Sequence, residues 1–523
     1  MKSVYVFFIL ILLISCKEKA SPNIVLLPKI EITEAGKIIP IDSASIASLK
    51  DSCVMTFYNA AQNKTFWLAD STRIKIISLL NHVQDDGLFP KDFDLKKLQK
   101  SEENIDNLSD SELVDYDILL TENLSHYIQK VSKGDLNPNK LYTNWELKEN
   151  EINFNALLLN FQKKDSFSDA VNAASPNHIV YKRLKEALKI INDFPKDNLK
   201  KIEIKNKIEL NDSNPAVIEL KKRLIYWKDL KPLDTITSVY DEATELAVKK
   251  FQMRHGLGLD GVIGAGTLQA LNFTKDQRKK QIIANMERWR WFPRTFEPEY
   301  LIINIPDYSL RIIKNSDTIR VHKVIIGRAE RKTPVLSSKL TQVIFNPTWT
   351  VPPTILRNDI IPAAARNQNY FSRKNITIYD SNNQVVSASN WDINRGRSYR
   401  YVQRPGAANA LGLVKFTFPN RFTVYLHDTN SRGYFDKDIR ALSSGCIRVQ
   451  DPFVLTEYLL DDSEKWSFEK IDEVINTGKT SQVQIKKEVS IHVLYWTAWS
   501  ENGTLQFRDD LYNLDMDLYK KIN

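Results

Sequence analysis

Residues 422–449 read FTVYLHDTNSRGYFDKDIRALSSGCIRV and contain a predicted strand followed by a polar loop. Side chains alternate along a strand, which places Tyr425 and His427 on one face. Cys446 lies 446 − 427 = 19 positions beyond His427, so one pocket could hold both side chains. An imidazole beside a thiol can take its proton and leave a nucleophilic thiolate. We therefore predict that Cys446 is a nucleophile and that His427, with a pKa near neutrality, is its base.

Other residues of this region are candidates for supporting roles. Gly445 has no Cβ, so its backbone can turn sharply and direct its own N–H and that of Cys446 towards a carbonyl under attack. Arg448 fits either a substrate carboxylate or a structural clamp on carbonyl groups. The remaining candidates for substrate contact, which also have structural interpretations in turn ordering or sheet packing, are Ser443, Ser444, Tyr425 and Trp349. The seven histidines form no ligand pairs, so no metal is expected.

Short β-branched runs precede this stretch. Residues 301–305, 324–326 and 343–345 are bounded by Pro, Gly, Asn and Asp, which is typical of strands in a buried sheet. They predict a mainly β domain over 299–480. A polar stretch at about 352–404 is too long for a simple connection, and it predicts an inserted capping subdomain or a flexible lid.

The first half of the chain has helical patterns instead. Apolar residues three and four apart predict a helical domain over 46–205, with Phe57, Tyr58, Trp67 and Tyr142 in its core. The 523 residues are too many for one hydrophobic core, so several domains are expected.

Three regions complete the predicted organisation. Amphipathic segments indicate three short helices over 210–273. A connecting helix is predicted over 276–298, with Pro293 ending it. Residues 481–523 are expected to form a C-terminal β segment that packs back on the body. The predicted fold class is therefore multidomain α+β.

Several motifs resemble one family. The stretch HDTNSRGYFDKDIRALSSGCIRV resembles the active-site signature of the L,D-transpeptidases, in which a histidine is followed by a loop and then by Ser-x-Gly-Cys-x-Arg. Ser444 and Asp428 replace the His and Gly of many single-domain members, as they do in the larger subgroup. The blocks MERWRWFP, LIINIPDYSL, RKTPVLSSKL and VIFNPTWTVPPTI resemble large members with a helical scaffold, a peptidoglycan-binding module and a capping insertion.

A second resemblance lies in the predicted three-helix region. The stretch AVKKFQMRHGLGLDGVIGAGTLQALN, residues 247–272, resembles the peptidoglycan-binding repeat. Its glycines also suit tight turns at positive φ. The match therefore favours the fold more strongly than it favours retained binding.

The L,D-transpeptidase resemblance implies a fold and a reaction. It implies a β-sandwich-like catalytic domain in which Cys446 attacks a donor tetrapeptide, releases its terminal D-alanine and forms a thioester. The amine of a diamino acid in an acceptor stem then resolves this thioester and forms a cross-link. No cofactor is implied, and carbapenems are implied to acylate the cysteine. Asp428 is expected to cap a loop. The alternatives are a carboxypeptidase or endopeptidase of the same fold, and a non-catalytic peptidoglycan-binding scaffold.

The N-terminus predicts export. Lys2 precedes an apolar run at 4–14, which has the length of a signal-peptide core. The following Ser15-Cys16 resembles a lipobox, which implies a lipoprotein signal peptide at 1–15, a lipid anchor at Cys16 and a tether over 16–45. An ordinary signal peptide is the alternative. Cys16 is followed by Lys17 and not by the aspartate that is associated with inner-membrane retention in some bacteria. We therefore expect an outer-membrane lipoprotein facing the periplasm.

Charge and cysteine content limit the partners. A net charge of +9 suits an anionic partner, and no nucleic-acid motif is present. The expected partners are peptidoglycan stem peptides and glycan, the membrane, and a cell-wall synthesis or activator protein. Cys53 could pair with Cys446 in an oxidising compartment, which would make Cys446 inert. The alternative for Cys53 is a buried small hydrophobic residue.

Overall fold

The structure is a computed structural model that describes residues 36–161 and 167–523. The expected signal peptide at 1–15, the anchor Cys16 and most of the tether over 16–45 lie outside the described residues. Within those described ranges, no helix combines the length and the apolar character that crossing a membrane requires.

The N-terminal part is helical, and polar caps begin several of its helices. The longest helix has a capping box, in which Ser109 Oγ accepts from the Glu112 N–H at 3.4 Å and the Glu112 carboxylate accepts from the Ser109 N–H at 2.8 Å. The elements are α1 Ser43–Ala47, α2 Ser52–Ala60, α3 Asp70–Asn81, α4 Leu95–Glu103, α5 Asp110–Lys133, α6 Pro138–Leu141, β1 Trp145–Glu146, α7 Phe154–Asn160, α8 Phe167–Ala174 and α9 Ile179–Asp193.

The next part contains four helices, and the residues that carry the repeat-like motif hold its turn together. Gln252 donates to the Asp260 carboxylate at 2.7 Å and accepts from the Gly261 N–H at 2.9 Å, while Phe251 is fully buried. These residues therefore have a structural role. The helices are α10 Ala216–Tyr226, α11 Glu242–His255, α12 Ala265–Leu271 and α13 Lys275–Trp291.

The C-terminal part is mainly β. Its elements up to the motif region are β2 Glu299–Asn304, β3 Ser309–Lys314, β4 Asp317–Gly327, β5 Val335–Lys339, β6 Gln342–Phe345, β7 Trp349–Thr350, α14 Pro353–Ile355, α15 Ile361–Arg366, α16 Asn369–Arg373, β8 Ile376–Tyr379, β9 Val385–Val386 and β10 Arg400–Gln403. The remaining elements are β11 Val414–Thr417, β12 Leu426–His427, β13 Ala441–Ser443, β14 Ile447–Val449, α17 Pro452–Leu460, α18 Phe468–Asn476, β15 Ser481–Gln484, β16 Ser490–Leu494, β17 Ala498–Glu501, β18 Thr504–Phe507 and α19 Asp515–Ile522.

A twelve-stranded sheet organises this part. Its order is β1-β5-β16-β2-β3-β4-β14-β12-β11-β6-β15, and β13 pairs with β4 outside that path. β12 and β14 are parallel neighbours, whereas β11 runs antiparallel to β12. Helices in the N-terminal half and a mainly β C-terminal domain confirm the predicted multidomain α+β class.

The polar stretch after β6 forms a small unit of its own. β7, β10, β8 and β9 make a separate four-stranded sheet with three short α-helices and a π-helical turn over Leu356–Ile360. A distinct apolar cluster fills this unit, and its largest members include Trp349, Phe371, Trp391 and Tyr401. Residues 349–411 thus have their own core. We call this unit the cap.

Two predicted regions are more deeply buried in the fold than the sequence indicated. Helix α13, expected as a connector, is buried along most of its length and contacts α5, α9, α19 and β17. The segment over 481–523 adds β15 beside β6 and inserts β16 between β5 and β2, and it ends in helix α19 rather than in a strand.

The predicted aromatic core of the helical domain is divided in the structure. Phe57, Tyr58 and Trp67 share one apolar cluster in the helical part. Tyr142 belongs to the cluster that also includes the large sheet, because β1 follows it and pairs with β5. Tyr142 is therefore a core residue, as predicted, but it belongs to the cluster that the helical part shares with the large sheet.

Candidate active site

Strand register brings the motif residues to one face of the large sheet. His427 pairs with Arg448 on β14 and with Lys415 on β11. The Ile447 N–H donates to the Tyr425 carbonyl at 3.1 Å, so Cys446 comes beside Tyr425. Side chains alternate along a strand, so five side chains from β11, β12, β14 and the residues just before β12 and β14 share this face. They are Lys415, Tyr425, His427, Cys446 and Arg448.

Strand β12, which ends at His427, is shorter than predicted. It contains only Leu426 and His427, whereas the sequence favoured a strand from Phe422. Asn420 accepts from the N–H groups of Phe422 and Val424 at 3.1 Å each, and Thr423 has a φ of 55°. These hydrogen bonds and this positive φ replace the sheet pairing. Tyr425 and His427 still share a face, with their ring centroids 5.6 Å apart.

The Cys446 thiol is free. No disulfide joins it to Cys53, which is also a free cysteine and is half-buried. Burial is the largest influence on the Cys446 thiol and raises its pKa, while hydrogen bonds from the Tyr425 backbone and side chain and the charges of Lys415 and Arg448 act in the opposite direction. The resting form is therefore the thiol, and it needs help to ionise.

The His427 imidazole is buried and neutral. Its Nδ1 lies 2.5 Å from the Asp428 carbonyl, which can only accept, so Nδ1 carries the proton and Nε2 is the free base. Burial, followed by the charge of Arg448, lowers the pKa of His427 to about 3. This is well below the near-neutral pKa expected from the sequence, because the ring is buried and lies beside cations.

Asp428 supports the loop rather than the imidazole ring. Its buried carboxylate accepts from the Leu413 N–H at 3.0 Å and from Arg432 Nη2 at 3.2 Å. Only its backbone carbonyl contacts His427. The neighbouring motif residues orient His427 through the main chain.

The turn before Cys446 is held by Ser443. Gly445 has a φ of 119°, a conformation that side-chain-bearing residues rarely adopt. Its N–H donates to Ser443 Oγ at 3.1 Å, and Ser443 Oγ donates to the Cys446 carbonyl at 2.6 Å. The Gly445 N–H is thus occupied, contrary to the expectation that it faces the substrate. Among the residues that the structure describes, the Cys446 N–H has no hydrogen-bond partner and remains the available donor.

Ser444 and Trp349 connect this face to the cap. Arg331 donates to Ser444 Oγ at 2.8 Å and forms a two-pronged ion pair with Asp359 of the cap at 2.5 and 3.1 Å. Trp349 is buried in the core of the cap, and Tyr425 packs against the same apolar cluster. The cap therefore adjoins the face that carries Cys446.

Sequence reasoning missed one residue of this site, Lys415. Its Nζ lies 3.9 Å from the centroid of the Tyr425 ring. The local pattern of β11, with buried Val414 and Phe416 on the opposite face, suggests only an exposed lysine. Its place beside Cys446 follows from the pairing of β11 with β12, which the sequence alone does not show. In the described ranges, no group of three His, Cys, Asp or Glu side chains could hold a metal ion.

Three family models match consecutive parts of the chain. Residues 52–188 match a "Scaffold domain", residues 213–271 match a "Putative peptidoglycan binding domain", and residues 298–483 match an "L,D-transpeptidase catalytic domain". A curated protein of Haemophilus influenzae named "Putative L,D-transpeptidase" is 34% identical over 242 residues, which cover 46% of this chain and 49% of that protein. The chain thus spans about half the length of this relative.

Two solved structures also match. An L,D-transpeptidase from Xylanimonas cellulosilytica shares 15% identity, with 56% of this chain and 98% of that chain covered and a TM-score of 0.18. An L,D-transpeptidase from Stackebrandtia nassauensis shares 12% identity, with 57% and 97% covered and a TM-score of 0.23.

The mainly β domain with its cysteine and histidine face, together with the matched residues 298–483, defines the class of the catalytic part as an L,D-transpeptidase domain. The chain as a whole carries a scaffold domain, a peptidoglycan-binding domain and an L,D-transpeptidase catalytic domain, in that order.

Proposed function

We propose that this protein is a peptidoglycan L,D-transpeptidase that cross-links stem peptides through a thioester on Cys446. The observation that carries the proposal is the placement of a free thiol and a neutral imidazole on one face of the sheet, beside the cap. A pure binding protein has no use for this pair. The matched catalytic domain supports the same reaction class.

The first half-reaction begins at the carbonyl of the third residue of a donor tetrapeptide. Cys446 Sγ forms a bond to this carbon while the thiol proton moves to His427 Nε2. The Cys446 N–H stabilises the developing oxyanion. The bond to the terminal D-alanine then breaks, and the imidazolium returns its proton to the departing amine. Because the resting pKa of His427 is low, the imidazolium exists only while the thiolate attacks.

The second half-reaction regenerates the enzyme. The side-chain amine of a diamino acid in the acceptor stem attacks the thioester carbonyl. His427 accepts a proton from this amine and passes it to the departing Cys446 sulfur. A new amide joins the two stems. Water in place of the amine would give a tripeptide and no cross-link, which is the hydrolytic outcome.

We also propose where the enzyme works. Residues 210–273 would hold peptidoglycan near the catalytic domain, and lipidation of Cys16 would tether the chain to the outer membrane facing the periplasm. The lipobox-like sequence supports the anchor. The mass of the mature N-terminal peptide tests it, since lipidation adds a diacylglyceryl group to Cys16, whereas an unmodified peptide would contradict it.

Product analysis tests the reaction. Purified wild type, Cys446→Ala and the thiol control Cys53→Ala are incubated with disaccharide tetrapeptides, and the products are identified by mass spectrometry. We expect cross-linked dimers from wild type and Cys53→Ala, and none from Cys446→Ala. Tripeptides without dimers would indicate a hydrolase. Unchanged substrate with every variant would favour a binding scaffold.

A further inference from the structure

Two cations beside Cys446 have no carboxylate partner among the described residues. Lys415 and Arg448 are both half-buried and form no ion pair there. Arg448 reaches only Thr429 Oγ1, at 3.4 Å, and its Nε is buried without a partner. Burying an unpaired charge costs free energy, so buried charges are normally paired. Unpaired cations at this position therefore indicate a functional role.

Several buried arginines elsewhere in the molecule are paired. Arg254 pairs with Asp229, Arg223 with Asp197 and Arg288 with Asp515, with distances of 2.5 to 3.0 Å. The cations near Cys446 differ from these. An anion that forms only during the reaction is a natural partner for them, and the group that becomes anionic there is the Cys446 sulfur.

The position of Lys415 is set by Tyr425. The ammonium group lies 3.9 Å from the centre of the Tyr425 ring, within the range of a cation–π interaction. Tyr425 lies beside Cys446, since the next residue, Ile447, donates its N–H to the Tyr425 carbonyl, and the Tyr425 hydroxyl and backbone both act to lower the pKa of the Cys446 thiol. A cation on the ring face draws electron density from the phenol, which makes its O–H a stronger donor. Lys415 therefore acts on Cys446 directly by charge and indirectly through Tyr425.

We propose that Lys415, held on the Tyr425 ring, is the positioning residue that stabilises the thiolate form of Cys446. This inference rests on the proposed function only in taking Cys446 as the nucleophile. Lys415 touches no reacting bond. It lowers the energy of the sulfur anion before attack, which burial alone would raise.

The other charged and titratable groups around the sulfur do not replace Lys415. His427 faces it from β12, Tyr425 from the segment just before β12, and Arg448 from β14, while the Arg331–Asp359 pair approaches through Ser444. His427 is neutral, and burial keeps Tyr425 protonated because it raises the pKa of the phenol. The Arg331 charge is balanced by Asp359. Lys415 and Arg448 remain as the cations that act on Cys446, and Lys415 lies outside the signature motif.

The test is the pH dependence of Cys446 alkylation in the full chain. Wild type, Lys415→Met, Lys415→Gln and Lys415→Arg are treated with iodoacetamide from pH 6 to pH 11, and the Cys446 peptide is quantified by mass spectrometry. An opposite charge within about 4–6 Å typically shifts a pKa by about one unit or more. We expect Lys415→Met and Lys415→Gln to raise the alkylation midpoint by about one unit, which slows alkylation roughly tenfold below both midpoints. Lys415→Arg should keep the wild-type midpoint, because it keeps the charge.

Lys437 provides a matched control. Its Nζ also lies over a tyrosine ring, 5.1 Å from the centroid of Tyr434, in the loop that joins His427 to Cys446. Lys437→Met should leave the midpoint unchanged. A wild-type midpoint in both Lys415→Met and Lys415→Gln would overturn the proposal, as would an equal shift in Lys437→Met.

Alkylation needs no substrate, so this test is separate from the test of the proposed function. A shifted midpoint in a protein that makes no cross-links would support Lys415 and reject the transpeptidase. An unshifted midpoint in a protein that makes cross-links would reject the role of Lys415 and support the transpeptidase.

Discussion

His427 is neutral in the resting site because it is buried beside two cations. Its Nδ1–H donates to the Asp428 carbonyl, which fixes the ring and leaves Nε2 unprotonated. A histidine whose folded pKa lies below its unfolded value favours folding fully above about pH 6.5. That contribution is lost as the pH falls from there towards 3, the pKa in the folded protein.

The first prediction concerns the charge of this imidazole. Nitrogen NMR of labelled protein should show His427 neutral, protonated at Nδ1, down to about pH 4. The signal is assigned by its absence in His427→Gln. Titration with a midpoint between pH 6 and 7 would contradict the structure and restore the near-neutral base expected from the sequence.

At the residue level, the sequence selected Cys446 and His427 as candidates but did not predict their environment. Spacing and residue type selected these two residues, and the structure places His427 on β12 and Cys446 immediately before the neighbouring strand β14. Lys415 was missed because its proximity depends on long-range strand pairing. The occupied Gly445 N–H was missed because the hydrogen bond from this group to Ser443 depends on the local turn.

The cap is the element that distinguishes this site from an open sheet face. The Arg331–Asp359 ion pair joins it to Ser444, two residues before Cys446. Arg331 is largely buried and Asp359 is partly exposed. Such a pair contributes about 1 kcal/mol or less to stability. Its larger effect should be on the orientation of the cap relative to Cys446.

The second prediction follows from this link. Arg331→Met should lower kcat/KM for cross-linking roughly tenfold, since a small displacement of a reacting group is enough for such a loss. The melting temperature should change little. Asp359→Asn should act similarly, and the double variant should be no worse than either single one, because both remove one interaction.

The exposed Arg357 of the cap is the control for this experiment. Arg357→Met removes a cation from the same turn without touching Ser444. Full activity in Arg331→Met, or an equal loss in Arg357→Met, would show that the ion pair does not position the cap.

Elements were predictable where the local pattern decided them. The three helices over 210–273 and the strands near 301–305 and 324–326 formed as the periodicity indicated. The predicted length of β12 was too great, because the N–H groups of Phe422 and Val424 donate to Asn420 and do not pair with a neighbouring strand. The length of the polar stretch was enough to predict the cap as an insertion. Its separate sheet could not be predicted, because this sheet depends on the pairing of β7 with β10, which are distant in sequence.

Across the whole molecule, α13 joins the helical and β parts through buried charges. Arg288, fully buried, donates two hydrogen bonds of 3.0 Å to Asp515 of α19. Asp515 also accepts from Thr497 at 2.5 Å, beside β17. From the sequence, this stretch was predicted only as a connecting helix over 276–298, and it carries many charged residues. Their burial follows from partners more than 200 positions away.

The third prediction tests this buried pair. Asp515→Asn keeps the shape of the side chain but leaves the Arg288 charge unpaired, so the free energy of unfolding should fall by about 3–5 kcal/mol. Denaturant unfolding measures this change. Asp517→Asn, in the same helix and exposed beside Lys521, should change it by less than about 0.5 kcal/mol. Equal effects of the two substitutions would contradict a structural role for the buried pair.

The most direct test of the central claim is to trap the acyl-enzyme. The full chain is mixed with a tetrapeptide donor whose diamino-acid side-chain amine is acetylated, so that it cannot act as an acceptor, and the mixture is then quenched in acid and digested for mass spectrometry. We predict that the Cys446 peptide gains the mass of the tripeptidyl group in wild type and not in Cys446→Ser. A wild-type Cys446 peptide that stays unmodified while D-alanine is released would contradict a thioester at this residue.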